Sequence, residues 1–123
     1  MSLPATIRAR LRLPVMCSPL FIISNPDLVL AQCKSGAIGS FPSLNARSLT
    51  QLDEWLQRIT EELAAWDKAH PEQLSAPFAV NQIVHRSNDR LEKDLALCEK
   101  YKVPMVITSL GARDDVNQAV HGW

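Results

Sequence analysis

The stretch FAVNQIV at residues 78–84 decides the fold, because it is largely apolar on both faces of a strand and too short for a helix. Three other short apolar runs lie at residues 13–17, 37–41 and 103–108. A polar turn and a segment with helical period follow each run. Strands that are apolar on both faces are typical of parallel sheets covered on two sides. The alternation therefore predicts an α/β fold of four βα units, whose parallel strands are joined by right-handed crossovers.

Capping residues and apolar spacing predict where the helices begin and end. Asn25 is a good N-cap for the first helix, and Gly36 ends it as a left-handed terminator. A second helix starts at Ser48 or Thr50 and presents a continuous apolar face. The third and fourth helices are predicted at about residues 87–102 and 114–123.

The length of 123 residues corresponds to one domain or to part of one. We expect a single partial domain over residues 1–123, in which residues 1–12 form a solvated arm. Two architectures fit four βα units: an open wound sheet, or part of an eightfold barrel. A complete barrel needs ~250 residues, so four units are half of one. In both architectures ligands gather at the carboxyl ends of the strands.

Charge and cysteine content exclude several classes of partner. Thirteen Lys and Arg balance thirteen Asp and Glu, so no positive field attracts a nucleic acid. No apolar run reaches the ~18 residues that cross a membrane, and Ser18 and Pro19 interrupt the only stretch that resembles a signal peptide. The three cysteines are odd in number and far apart, which predicts reduced thiols in a cytoplasm.

The usual catalytic and metal-binding motifs are missing from the sequence, and two polar residues at the third strand remain as candidates. His85 follows that strand beside Arg86, where a hydrogen-bonded structural histidine is favoured over one that orients an anion. Asn81 lies within the strand and needs a partner, because an unpaired buried amide costs ~1–3 kcal/mol. A neighbouring strand-end group and a polar ligand are both open as that partner.

Four stretches carry a family resemblance, and they lie at residues 13–21, 39–47, 77–85 and 103–111. In their order and spacing they resemble the N-terminal part of the nitronate monooxygenases, formerly called 2-nitropropane dioxygenases, which are FMN-dependent barrel enzymes. The resemblance implies the N-terminal half of a TIM (β/α)8 barrel, with FMN as cofactor. The implied reaction is the oxidation of alkyl nitronates with O2.

The resemblance also implies which residues touch the flavin. The family's first-strand motif passes its backbone close to the flavin ring and matches Ser18, Pro19 and Leu20, with the proline kept and its neighbours changed. Asn81 matches an asparagine that contacts the flavin in the family. The family's catalytic histidine and its phosphate-binding loops would lie beyond Trp123. We therefore expect no catalytic residue and no metal site in this chain, which would be a truncated fragment inactive alone.

Two alternatives stay open beside this interpretation. Flavin-dependent enoyl reductases share related first-strand motifs, so the barrel and the flavin are compatible with a different substrate. A non-catalytic, self-assembling α/β module is the alternative from another class. In all cases the first and last strands of a half-barrel lack neighbours, which predicts a homo-oligomer formed through exposed sheet edges.

Overall fold

A computed structural model describes residues 3–123 of the chain. Helices and strands alternate along most of it, as the apolar pattern predicts. The helices are α1 (Ala5–Arg8), α2 (Pro26–Lys34), α3 (Leu49–Ala69), α4 (Leu91–Lys100) and α5 (Asp114–Val120). The strands are β1 (Gly39–Pro42), β2 (Phe78–Ile83) and β3 (Met105–Ser109), and a 3-10 turn at Ser43–Asn45 follows β1. None of the helices in this range is both long and apolar enough to cross a bilayer.

The three strands form one parallel sheet in the order β1-β2-β3. Phe78 of β2 pairs with Gly39 of β1, and Ala79 pairs with Met105 of β3. Consecutive parallel strands joined by helices confirm the predicted α/β class.

The apolar run at residues 13–17 forms only one parallel bridge, between Met16 and Ile38, which corrects the prediction of a full first strand. Ile38 donates its N–H to the carbonyl oxygen of Val15 at 3.0 Å, and its own carbonyl accepts from Cys17 at 2.8 Å. Leu13 and Val15 are 62% and 47% exposed, so the run buries little apolar surface. Because little burial supports it, the pairing does not extend beyond the bridge.

The predicted helix ends are confirmed at α2 and α3. Asn25 Oδ1 accepts a hydrogen bond from the N–H of Leu28 at 3.0 Å, and Ser48 Oγ accepts one from Gln51 at 3.1 Å. Gly36 has φ +94°, the left-handed conformation expected of a terminator. By contrast, α4 begins at Leu91 rather than at residue 87, since residues 85–90 form a hydrogen-bonded turn.

The main core lies on one face of the sheet. Phe41, Phe78 and Val80 point to this face and are buried against α2, α3 and α4. α2 packs on α3, α3 packs on α4, and α5 packs on α4 through Val116, so these four helices form a single layer. An open wound sheet would divide its helices between both faces, whereas a barrel keeps them outside. The one-sided layer therefore favours the barrel among the two predicted architectures.

The arm at residues 3–12 contacts the rest of the domain. Arg10 forms an ion pair with Asp67 at the end of α3, with 3.1 Å between Nη1 and Oδ2. The N–H of Arg12 donates to the carbonyl oxygen of Gly36 at 3.0 Å. The expected solvated arm is thus attached at the amino-terminal side of the sheet.

Candidate functional site

The face of the sheet opposite the helix layer, called the inner face below, carries the predicted site. Pairing in register places Ser40 beside Ala79, and it places Asn81 between Pro42 and Ile107. In the strands that the structure describes, none of the side chains on this face titrates near neutral pH. The inner face is therefore suited to binding rather than to proton transfer.

Asn81 is held by the neighbouring strand. Its Nδ2 donates to the carbonyl oxygen of Ile107 at 2.9 Å and to Ser109 Oγ at 3.0 Å. These two bonds use both N–H groups of the amide and fix its orientation. Within residues 3–123, Asn81 Oδ1 accepts no hydrogen bond, although the residue is only 8% exposed. The sequence left open whether Asn81 pairs with a strand-end group or with a ligand. The structure shows Ser109 at the end of β3 as the strand-end partner, and Asn81 Oδ1 remains available to a ligand.

Residues 18–24, called loop 18–24 below, follow the bridge at Met16 and contain the other three predicted site residues. The N–H of Leu20 donates to Ser24 Oγ at 2.8 Å, and the N–H of Ser24 donates to the carbonyl oxygen of Leu20 at 3.0 Å. The backbone of Ser18 and of Pro19 makes no hydrogen bond to the described residues. Their polar groups remain free at the start of the loop.

Asn45 connects loop 18–24 to the end of β1. Its Oδ1 accepts from the N–H of Ile22 at 3.0 Å, and its Nδ2 donates to the carbonyl oxygens of Leu20 and Ser24 at 3.0 and 2.8 Å. From the sequence alone, neither Asn45 nor Ser24 is assigned a role at the site. The sequence signal at Asn45 is its position between a buried strand and a helix, and at Ser24 it is the position before a helix.

Strand β1 lies between the two parts of the predicted site. Ser40 donates its hydroxyl proton to the carbonyl oxygen of Cys17, immediately before loop 18–24. Pro42, two residues further along β1, pairs with Asn81. The structure thus places Ser18, Pro19 and Leu20 on one side of β1, and Asn81 on the other.

A buried polar network supports this end of the sheet from the helix side. Ser43 donates to Gln82 Oε1 at 3.1 Å, and Gln82 donates from Nε2 to Cys98 Sγ at 3.4 Å. Arg90 donates to Asp94 Oδ1 at 3.1 Å from Nη2, and Asp94 is fully buried. Burial raises the pKa of the Asp94 carboxyl, and the opposing attraction of Arg90 is the smaller effect. This network was not predicted, although Gln82, a polar residue within a largely apolar strand, is a sequence signal for it.

Two histidines and two cysteines have structural surroundings. His85 is exposed, and its Nδ1 lies 2.8 Å from Ser87 Oγ, as expected for a structural histidine. His70 stacks on Trp66 with 3.8 Å between ring centroids. Burial raises the pKa of the Cys33 thiol to about 11 and that of Cys98 to about 12. Neither buried thiol is thus a nucleophile at neutral pH.

Several open cavities lie away from the inner face. One of about 220 Å³ is at the amino-terminal end, where Arg10, Asp67 and Ser75 line it. Another of about 390 Å³ lies between α3 and α4. Among residues 3–123, no group of three His, Cys, Asp or Glu side chains is arranged to hold a metal ion.

Comparisons with known proteins support the fold. No family model matches the chain, and no curated protein matches its sequence. A solved structure of the FabK M276A mutant from Thermotoga maritima is similar, with a TM-score of 0.70 and 16% sequence identity. The similarity covers 98% of this chain and 37% of that chain. At this identity it shows a shared fold, and the chain spans well under half the length of that structure.

Proposed function

We propose that the chain forms the flavin-binding first part of an FMN-dependent oxidoreductase with a (β/α)8 barrel. The observation that carries this proposal is the amide of Asn81, which is fixed on the inner face with a free acceptor. A resemblance of the sequence and one structural similarity support it. The sequence resembles the N-terminal part of the nitronate monooxygenases, and FabK is a flavin-dependent enzyme with a TIM-barrel fold.

The polar groups at the site suit the ring of a flavin. A flavin ring presents both N–H donors and carbonyl acceptors along one edge. Asn81 Oδ1 would accept from such a donor, and the free N–H of Ser18 would donate to such an acceptor. Pro19 and Leu20 would add backbone and apolar contact beside it.

The phosphate of FMN does not suit the N-termini of α4 and α5. Helix N-termini bind phosphate when their N–H groups are free and no acidic side chain competes. The first turn of α4 carries Glu92 and Asp94, and the first turn of α5 carries Asp114 and Asp115. Glu92 and the two carboxylates of α5 repel a phosphate. At α3, whose first turn has no acid, Ser48 Oγ already accepts from the N–H of Gln51, so we propose that the phosphate-binding loops lie elsewhere in the enzyme.

When bound, the flavin supplies the electron transfer, and the residues of this chain orient its ring and exclude water from one side. We propose two alternative substrate classes. The four matching stretches favour an alkyl nitronate oxidised with O2. FabK, an enoyl reductase, supports an enoyl thioester as the alternative substrate.

The complete gene product tests the proposal. We expect it to purify with a flavin absorption band and to consume O2 with an alkyl nitronate faster than it reduces an enoyl thioester. The reverse preference would support the enoyl reductase, and a product without flavin and without either activity would overturn both. The 123-residue chain alone should purify colourless. FMN bound to it in stoichiometric amount would contradict our placement of the phosphate site.

We also propose that the isolated chain associates with a second copy of itself. β3 pairs with β2 on one side only, and all five of its residues remain partly exposed. An unpaired strand beside an uncovered sheet face is a surface on which strands of another copy can pair. Such association is also what the non-catalytic module would do.

The proposed location is the cytoplasm, since Cys17, Cys33 and Cys98 are all free thiols.

A further inference from the structure

We propose that Asn45 is a positioning residue that fixes the backbone of loop 18–24 before a cofactor binds. The proposal rests on the proposed function, because it gives this loop a role in holding the flavin ring. In this proposal Asn45 acts through the backbone of the loop, because its amide is bonded to Leu20, Ile22 and Ser24.

The hydrogen bonds of Asn45 fully engage its side-chain amide. One acceptor bond and two donor bonds reach Ile22, Leu20 and Ser24, which lie 21 to 25 residues earlier in the chain. Asn45 is 9% exposed, so water does not readily replace these bonds. A side chain that bonds three backbone groups of one loop determines the path of that loop.

The conformation of loop 18–24 needs such an anchor. Ile22 has φ 71°, which is rare for a β-branched residue and persists only where the surroundings impose it. Phe21, Ile22 and Ile23 are each more than 60% exposed, so burial of their side chains does not hold the loop in place. Asn45 accepts from the N–H of Ile22 itself. Ile22 therefore has both the rare backbone conformation and the hydrogen bond to Asn45 that maintains it.

Asn45 is in turn fixed to the helix layer. It ends the 3-10 turn at Ser43–Asn45, and Ser43 is buried against Gln82. The carbonyl oxygen of Ala46 accepts from Arg90 Nη1 at 2.8 Å. A continuous set of contacts thus runs from α4 to the loop. As a result, the free backbone groups of Ser18 and Pro19 are presented in one arrangement.

Residue-resolved hydrogen exchange on the 123-residue chain tests the proposal without any cofactor. We expect Asn45→Ala to accelerate exchange at the amides of Leu20, Ile22 and Ser24 by at least ~tenfold, while the amides of β2 keep their rates. Asn88→Ala is the matched control, since Asn88 donates to the carbonyl oxygen of Ile83 at 3.0 Å and anchors a different loop. Unchanged rates at Ile22, or equal acceleration throughout the sheet, would overturn the proposal.

A second variant gives a readout that loss of volume alone would not produce. Asn45→Asp keeps the acceptor for Ile22 but turns an oxygen toward the carbonyls of Leu20 and Ser24. We expect loop protection to be lost at neutral pH and to return in part on acidification, when the introduced carboxyl gains one proton to donate to one of the two carbonyls. Protection that is independent of pH, after correction for intrinsic exchange, would count against the proposal.

The outcome is separable from that of the proposed function. Flavin fluorescence of the complete gene product, measured on the unsubstituted protein, tests whether FMN binds at all. If FMN does not bind while exchange at loop 18–24 still responds to Asn45, the flavin function fails and the positioning role remains. If FMN binds but substitution of Asn45 does not change exchange at loop 18–24, only the positioning role is overturned.

Discussion

Asn81 Nδ2 lies 3.0 Å from Ser109 Oγ, and this hydrogen bond joins β2 to the edge strand β3 across the inner face. The same nitrogen donates to the carbonyl oxygen of Ile107 at 2.9 Å. β3 has no other strand beside it among the described residues. The side chain of Asn81 therefore reinforces the exposed edge, and the same bonds direct its acceptor toward the site.

Replacing Asn81 should destabilise the protein by a predictable amount. Asn81→Ala leaves the carbonyl of Ile107 and the hydroxyl of Ser109 without their donor, so we expect the free energy of unfolding to fall by ~1–3 kcal/mol. Ser109→Ala removes one of the two bonds and should cost ~0.5–1.5 kcal/mol. Urea unfolding followed by circular dichroism measures both. Equal costs for the two variants would show that the bond to Ile107 contributes nothing.

Local signals in the sequence predict the helix ends and most of the strands. Asn25, Ser48 and Gly36 act within a few residues of their own positions, and each is confirmed as predicted. The run at residues 13–17 has the composition of a strand but forms one bridge, because strand formation depends on partners far along the chain. The composition of this run does not show whether a neighbouring strand is available along its whole length.

At the candidate site, too, the sequence indicates residues with a local signal but not residues that act through distant contacts. Asn81 stands out in the sequence because a polar residue interrupts a short apolar run, which is a local signal. Asn45 does not stand out, since its hydrogen bonds reach Leu20, Ile22 and Ser24 across more than 20 residues. The buried Asp94 is also ordinary in sequence, because its position on a helix fits an exposed face equally well. Only the packing of α4 on the sheet determines its burial.

The helix layer should supply most of the stability of the fold. The same Leu→Ala substitution, made at a buried and at an exposed position, tests this expectation. Leu56 of α3 is fully buried in the main core, whereas Leu110 is 71% exposed after β3. We expect Leu56→Ala to lower the free energy of unfolding by ~2–5 kcal/mol. Leu110→Ala should change it by less than ~0.5 kcal/mol. A large cost at Leu110 would mean that this side chain is covered in solution by another surface.

Self-association of the isolated chain should depend on the inner face of β3. We expect the unsubstituted chain to sediment as a dimer or larger species at micromolar concentration. Ile107→Lys should shift it to the monomer, because a lysine on the inner face would be buried between copies without a partner. Gln118→Lys adds the same charge on the exposed surface of α5 and should leave sedimentation unchanged. A monodisperse monomer at that concentration would overturn the proposed association.

Asp94 should make the free energy of unfolding depend on pH. The direction of this dependence shows whether burial or the attraction of Arg90 has the larger effect on its pKa. Burial raises the pKa of this carboxyl above its ordinary value, while the attraction of Arg90 lowers it. Because burial is the larger effect, the folded state binds the proton more tightly than the unfolded state does. The contribution of Asp94 to stability is then greatest below the unfolded pKa and is lost as pH rises through the folded pKa.

Asp94→Asn removes this titration while keeping the size of the side chain, so other groups cancel in the comparison. We expect the variant to gain stability relative to the unsubstituted protein as pH rises from 4 toward neutrality, through the interval above the ordinary carboxyl pKa. Urea unfolding of both proteins at several pH values measures the difference. A difference that changes in the opposite direction would show that the ion pair with Arg90, at 3.1 Å, outweighs burial. In that case the charged network, rather than the neutral carboxyl, holds α4 against the end of β1.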